Sequence, residues 1–297
     1  MDSFRNLLKE NDIEHAMNVS FKKLTSYKTG GNASIVIYPK NKEELVFVIK
    51  KLRKYKIKYS LFGSGTNVLA SDSDYNGAII KLDKFNEIKI DDGVVTVGCG
   101  VSMPKLCLEL AKKGYKGYAN LAGIPGTVGG AIYMNAGCYG VEIKDLLIDA
   151  VYFKLGKNIT VTNKMFCFKK RHSIIQWLKN PILLEARFKL EKSNEDEILK
   201  LNEYREKRIS SQPLDKPNCG SVFRNPEGDS AGRLIDSCGL KGYKIGGASV
   251  SEKHANFIVN DGTATSSDIL NVIEYVSTKV LNETGVKLEL EVKLFNF

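Results

Sequence analysis

The chain has 297 residues, with 44 Lys plus Arg against 34 Asp plus Glu and a formal charge of +10. Hydrophobic residues make up 43% and charged residues 26%, which is enough apolar surface to offset the entropy of ordering and excludes a disordered chain. No apolar run approaches the roughly 18 residues of a membrane-spanning helix, and the opening MDSFRNLLKENDIEHAM lacks the apolar block of a secretory signal.

In chain order, SIVIYP reads as a strand, 41–57 as an amphipathic helix and KIKYSLFG as a second strand. Leu45, Val48, Ile49 and Leu52 recur at helical spacing, and Asn41 with Glu44 forms a capping box. A strand–helix–strand unit of this kind normally pairs its strands in parallel. NEIKI and VVTVG flank Asp91-Asp92-Gly93 and predict a hairpin. Residues 102–113 predict a second helix, with Ser102 as its cap, Pro104 in the first turn and Gly114 past its end. LLIDAVYFKL and PILLEARFKL are strand-like around the basic segment FCFKKRHS, and 195–209 is a charged connecting helix. From about Pro213 follow strand-like GSVFR, helix-like SAGRLIDSCG, strand-like NFIVN, a helix over 267–284, and a closing strand VKLELEVKLF. Strands and helices mix without a strict repeat, so the expected fold class is α+β.

Six cysteines are scattered singly with no CxxC pair, and three histidines offer no zinc constellation. A reduced, cytoplasmic chain without a metal is therefore expected. The positive charge suits anionic partners, namely nucleic acid, a membrane surface or phosphorylated small molecules. The lysines are spread along the chain rather than clustered with aromatics, so most of that charge reads as a solvated surface.

The 26 glycines say more, since eight crowd between Gly114 and Gly140. Glycine lets backbone amides approach a ligand closely. FGSGTN at 62–67 and GIPGTVGGA at 123–131 could each wrap a pyrophosphate, or be tight turns in a crowded β fold. Neither matches GxGxxG, because residue 68 is Val, and no GxxxxGK[ST] loop occurs. A Rossmann dinucleotide site and a P-loop are both disfavoured.

YKTGGNASIVIYP, LFGSGTNVLASD and GIPGTVGGAIYMNAGCYG, in this order and spacing, resemble the flavin-binding part of the UDP-N-acetylenolpyruvoylglucosamine reductase family, of the vanillyl-alcohol-oxidase type. The likeness continues through FCFKKRHS, QPLDKPNCGSVFRNP, AGRLIDSCGLKGYKIGGASVSEKHANFIVN and LELEV. The direct run from AGRLIDSCGL into GYKIGGASVS is similar to the family's shorter, second type. This resemblance implies an α+β fold made of a two-part FAD-binding domain and a C-terminal substrate-binding domain. The domains are expected at 1–205, with subdomains of about 1–80 and 81–205, and at 206–297.

The implied activity is a flavin-dependent reduction in peptidoglycan precursor synthesis, with NADPH as hydride donor, a UDP-sugar as substrate and FAD held noncovalently. No nucleic acid, membrane or obligate protein partner is implied. FAD would contact Tyr27, Thr29, Gly30 and Gly31, then Gly63, Ser64, Gly65, Thr66 and Asn67. Further contacts would come from Gly123, Ile124, Pro125, Gly126, Thr127, Gly129, Gly130 and Ala131, with Asn135 and Gly137.

Adding hydride to an enolpyruvyl double bond builds charge on the carboxylate side and requires a proton at carbon. By the resemblance, Ser221 is the proton donor, Arg171 the cation at the substrate carboxylate, and Glu291 the carboxyl group that holds or polarises the intermediate. Asn225 and Arg224 would bind the sugar-nucleotide, and Arg208 is another diphosphate candidate. If 221–225 is extended, Ser221, Phe223 and Asn225 share one face; alternation puts Leu288, Leu290, Val292 and Leu294 inward and Glu289 and Glu291 outward. Each has a plain structural reading: a strand serine bonded to backbone, a solvated basic loop, and two solvated glutamates. Two departures stand out, Lys170 where the family has an aromatic residue and Leu290 where it has proline. Cys219 reads as a buried small hydrophobe and His254 as structural. A different FAD oxidoreductase of the same fold, using oxygen or another small acceptor, is the alternative enzyme. A noncatalytic nucleotide- or nucleic-acid-binding module is the alternative outside enzymes.

Overall fold

The computed structural model describes residues 1–154 and 156–297 and sorts them into two units, neither continuous in sequence. The first comprises Met1–Asn18, Ser34–Ser64 and Asn76–Glu206; the second comprises Val19–Ala33, Gly65–Tyr75 and Lys207–Phe297. The last break between the units falls between Glu206 and Lys207. The sequence reading nevertheless kept 1–205 together, whereas two of its glycine-bearing segments belong to the second unit.

In the first unit the helix Lys42–Lys54 starts at Asn41, whose side chain accepts the Glu44 N–H at 2.9 Å. The reciprocal half of the expected capping box slips by one residue: Glu44 Oε2 accepts from Lys40 N at 2.8 Å. The flanking strands Asn32–Ile37 and Tyr59–Phe62 form, but they are not neighbours. Tyr75–Lys81 lies between them and pairs in parallel with Tyr59–Phe62. Leu45, Val48 and Leu52 are buried together with Ile35, Ile37, Ala78 and Ile80. The N-terminal segment, left unassigned by sequence, is the helix Asp2–Glu10, which buries Phe4 and Leu8 in this same core.

A second sheet of the first unit is antiparallel throughout, in the order Lys157–Thr162, Leu147–Lys154, Ile182–Lys189, Val94–Gly98, Ile88–Asp91. Its hairpin turns at Asp92 and Gly93, with φ of 39° and 71°, the doubly left-handed turn that an Asp-Gly pair favours. The predicted strand 146–155 ends on Leu155, which lies outside the described residues. Helix Met103–Lys112 covers this sheet with Leu106, Cys107 and Leu110. Ser102 occupies its N-cap without a side-chain capping bond, so here proline near the first turn and the apolar face define the helix. Within the glycine-rich stretch, Val128–Met134 is helical and buries Val128, Ala131 and Ile132.

The second unit packs the helix Ser266–Thr284 on a small antiparallel sheet, Lys244–Ile245, Ala248–Val250 and Ile258–Asn260. Thr265 and Asp268 form a full capping box at its start. GSVFR is not part of a regular strand; it makes an isolated bridge, Phe223 to Leu290. The closing strand is only Lys293–Phe295, parallel to Val68–Ala70. Leu288 and Val292 are buried as expected, but Leu294 is 43% exposed. The alternation shifts after Val292, where Phe295 packs instead on Phe21 and Tyr75.

Candidate functional site

In the first unit the two glycine-rich segments touch. A Cβ on Gly63 would lie 2.7 Å from Thr127 Oγ1, so only glycine permits this approach. Thr127 caps the Val128–Met134 helix by accepting from Gly130 N at 3.2 Å. The amides of Val128, Gly129 and Ala131 donate at 2.9 Å to carbonyls of Val101, Cys99 and Thr127. Four successive N–H groups that the sequence reading offered to a pyrophosphate are thus already bonded. This stretch presents exposed surface at Pro125 and Gly130 rather than a row of open donors.

Arg171 sits at the tip of a tight turn closed by two bonds between Lys169 and His172, both 3.0 Å. Its φ is 54°, left-handed for a non-glycine residue. The guanidinium donates to Gly137 O at 2.8 Å and lies 3.8 Å from Glu142. Asn135 is fully buried and binds the base of the turn, donating to Lys169 O and Glu142 Oε2, both at 3.0 Å. Its Oδ1 accepts from Lys144 N. Asn135, expected as a flavin contact, holds the base of the turn that carries Arg171. Glu142 went unnoticed in the sequence; an isolated glutamate between Val141 and Ile143 carries no pattern. Lys170 is exposed at the turn tip, so replacing an aromatic residue there leaves no core gap in this unit.

In the second unit Tyr27 is fully buried. Burial, with Cys219 nearby, pushes its phenol well above the ordinary range, so it remains a protonated donor. Thr29 is buried and its hydroxyl is hydrogen-bonded with that of Ser266 at 2.8 Å. Gly30 has φ of 107°, and a Cβ on Gly31 would sit 2.6 Å from Asp72 O. Gly65 has φ of 65° and packs against Leu24. Burial pushes Cys219 up to about 12, and its sulfur lies 3.3 Å from Val68 O; a thiolate nucleophile is excluded at neutral pH.

The predicted catalytic and substrate residues of this unit lie on two neighbouring segments. Arg224 N donates to Glu289 O and Glu291 N to Val222 O, both at 2.8 Å. Ser221 and Glu291 are each half-buried on these paired segments. The pairing uses the amide of residue 291 rather than that of 290, so proline or leucine at 290 serves equally. Arg224 also meets the Glu289 carboxylate at 3.4 Å. Asn225 is exposed and turns its Oδ1 to Ala231 N at 3.1 Å, starting the Ala231–Ser237 helix. It therefore departs from buried Phe223, with which a shared face was expected. Lys293, missed in the sequence reading, is half-buried here. Burial first, then Arg224, holds its ammonium below the usual lysine range, while Glu291 opposes them.

Tyr27 also provides the test of fit for a flavin. Its hydroxyl is buried with no hydrogen-bond partner among the described residues, a state that costs roughly 1–3 kcal/mol unless a ligand oxygen accepts its proton. The residues present fit the cofactor on that ground. Among the described residues no helix is long and apolar enough to cross a membrane.

Residues 33–152 match the FAD binding domain family, and residues 212–295 match the C-terminal domain of UDP-N-acetylenolpyruvoylglucosamine reductase. The reductase of that name from Caldanaerobacter subterraneus is 39% identical over 99% of this chain and 97% of its own. That from Rickettsia conorii is 41% identical over 94% of this chain and 95% of its own. The crystal structure of the reductase from Thermus caldophilus, 32% identical, aligns with a TM-score of 0.80 across 95% of this chain and 98% of that one.

Proposed function

This chain belongs to the UDP-N-acetylenolpyruvoylglucosamine reductase family, and on that premise we propose how its residues divide the reaction. The enzyme reduces the enolpyruvyl group of a UDP-sugar in peptidoglycan precursor synthesis. Its fold is a vanillyl-alcohol-oxidase-type FAD-binding domain joined to an α+β C-terminal domain. Bound FAD would supply the hydride chemistry of the reaction, with NADPH as the hydride donor.

The remaining work falls to side chains. Arg171 pairs with the substrate carboxylate as negative charge develops on it, and its planar fork suits that group better than a lysine would. Ser221 delivers the proton to the adjacent carbon. A serine hydroxyl is a weak acid, so it needs a neighbour that stabilises charge. Glu291, on the segment paired with that of Ser221, and half-buried Lys293, which interacts with Glu291, are the candidates. Arg224 and Asn225 bind the nucleotide portion, and Tyr27 donates to the flavin.

The observation that supports this division is the pairing of Val222 with Glu291 and Arg224 with Glu289. It brings together the backbone segments that carry Ser221 and Glu291, which lie far apart in the sequence. The functional boundary we propose lies near residue 206, with flavin-binding before it and substrate-binding after it; Val19–Ala33 and Gly65–Tyr75 nevertheless pack with the later part. We place the enzyme in the cytoplasm, with small molecules as its only required partners.

The test is anaerobic and uses half-reactions. Ser221→Ala should still let NADPH bleach the flavin, whereas reoxidation by the enolpyruvyl substrate should slow by about 10²–10⁴-fold, the usual worth of proton donation. Normal reoxidation would remove Ser221 from its role.

A further inference from the structure

Asn256 is 3% exposed, so its amide must find partners inside the second unit. It finds both on one residue. The Phe223 N–H donates to Asn256 Oδ1 at 2.9 Å, and Asn256 Nδ2 donates to Phe223 O at 2.8 Å. A side-chain amide closing this two-bond ring acts as a neighbouring strand would. The backbone of Asn256 adds a third bond, accepting from Val222 N at 2.9 Å.

The opposite edge of the same segment is held by Glu289 and Glu291, through Arg224 N and Val222 O. Residues 222–224 are therefore bonded from both sides, although no regular sheet surrounds them. Ser221 is the next residue back, and its half-buried hydroxyl inherits its position from this clamp. Asn256 is itself oriented: its N–H donates to His254 Nδ1 at 3.2 Å.

We propose that Asn256 is a positioning residue for proton donation, fixing where the Ser221 hydroxyl lies without touching the substrate. The inference rests on the donor role proposed above for Ser221. Leaving the Phe223 carbonyl unpaired in a buried place lets the segment move, and misplacement by about 1 Å can cost on the order of 10²-fold in rate.

The experiment uses full-length, FAD-loaded protein carrying Asn256→Ala, Asn256→Asp, Ser221→Ala, or Ser221→Ala with Asn256→Ala. Asn256→Asp keeps the acceptor for Phe223 N–H, sets an oxygen against Phe223 O in place of the donor and adds a carboxyl charge, so it breaks the same bond without truncating the side chain and serves if the alanine variant does not fold. Stopped-flow should show NADPH reducing the flavin within about two-fold of wild type in every variant. Reoxidation by the enolpyruvyl substrate should slow about 10–100-fold in the Asn256 variants. In the Ser221→Ala background the Asn256 change should cost nothing further, because its effect passes through that hydroxyl. Equal slowing of both half-reactions, unchanged reoxidation, or additive losses would each overturn the positioning role. Normal reoxidation by Ser221→Ala would remove the donor role and this inference together. Slow Ser221→Ala beside normal Asn256 variants would remove this inference alone.

Discussion

Asn67, in the second glycine-rich loop, donates from its side chain to the backbone carbonyl of Glu291 at 3.2 Å. A residue expected at the flavin thus holds the segment expected to carry the catalytic carboxyl. The same segment is tied again one step on, where Lys293 N donates to Asn67 O at 3.0 Å. Asn67→Ala removes the side-chain bond and keeps the backbone one. A loss of about 1 kcal/mol is expected, seen as a Tm lower by about 2–4 °C. Reoxidation should slow more than flavin reduction, because the displaced group serves the proton-transfer step. A variant with unaltered reoxidation would show that Asn67 does not set the position of Glu291.

Arg171 gives a sharper test of chemistry against charge. Its guanidinium already uses one N–H on Gly137 O, so the orientation of the fork is fixed before substrate arrives. Arg171→Lys keeps the positive charge but loses the planar, two-pronged geometry. Reoxidation should fall by at least about tenfold, with the substrate KM raised, while flavin reduction by NADPH holds; one lost transition-state interaction of about 1.4 kcal/mol is a factor of ten. If Arg171→Lys is as active as wild type, the group supplies only diffuse charge.

Asp72 links acidity to stability. It accepts from Ser266 N at 2.8 Å, Ser267 N at 2.9 Å and Ser267 Oγ at 2.8 Å, capping the Ser266–Thr284 helix from a distant loop. Burial pushes its carboxyl up, but these hydrogen bonds outweigh burial and leave it below the usual carboxylate range. A depressed carboxyl stabilises the fold above its unfolded pKa, about 3.9, and that stabilisation is lost as pH falls through the folded value. Asp72→Ala should lower stability at pH 7 by about 1 kcal/mol, the usual worth of a cap, reduced by solvent screening since the residue is exposed. In thermal melts from pH 7 downward the gap between the two proteins should stay constant to about pH 5, begin to narrow near the unfolded value and close only below the folded value. A gap that does not narrow at all as pH falls below about 4 would mean that shape, not charge, is what the loop contributes.

Local signals were legible in the sequence wherever the stabilising partner is close along the chain. Asn41 announces its helix because its side chain bonds an amide three residues on. Asp92-Gly93 announces its hairpin because the turn itself demands left-handed backbone. The helix Val128–Met134 was hidden because Gly129 and Gly130 read as loop, while its stability comes from burying Val128 and Ile132. The site was legible only as a set of types. Ser221, Arg171 and Glu291 stand out by resemblance, but what holds them is long-range. Asn256 lies 33 residues from Phe223, and nothing local distinguishes it from any other asparagine.

Gly65 separates the two uses of glycine that the sequence left open in FGSGTN. Its φ is 65°, and a Cβ there would lie 1.9 Å from Leu24 O, with Thr25 Cα also within 2.9 Å. Both neighbours are backbone and cannot turn aside. The Gly65 carbonyl also accepts from Ser26 N at 3.1 Å, just before Tyr27. Gly65→Ala must therefore shift the loop that carries Tyr27 as well as its own. A stability loss of about 2–3 kcal/mol is expected from overpacking and left-handed strain together. Gly114→Ala is the control: its φ is 71°, yet nothing lies within 4 Å of the added carbon, so only the strain of about 1–2 kcal/mol remains. Flavin retention after gel filtration, read by the ratio of flavin to protein absorbance, should drop for Gly65→Ala and hold for Gly114→Ala. Equal retention in both would assign Gly65 to the turn alone and leave the flavin to the neighbouring residues.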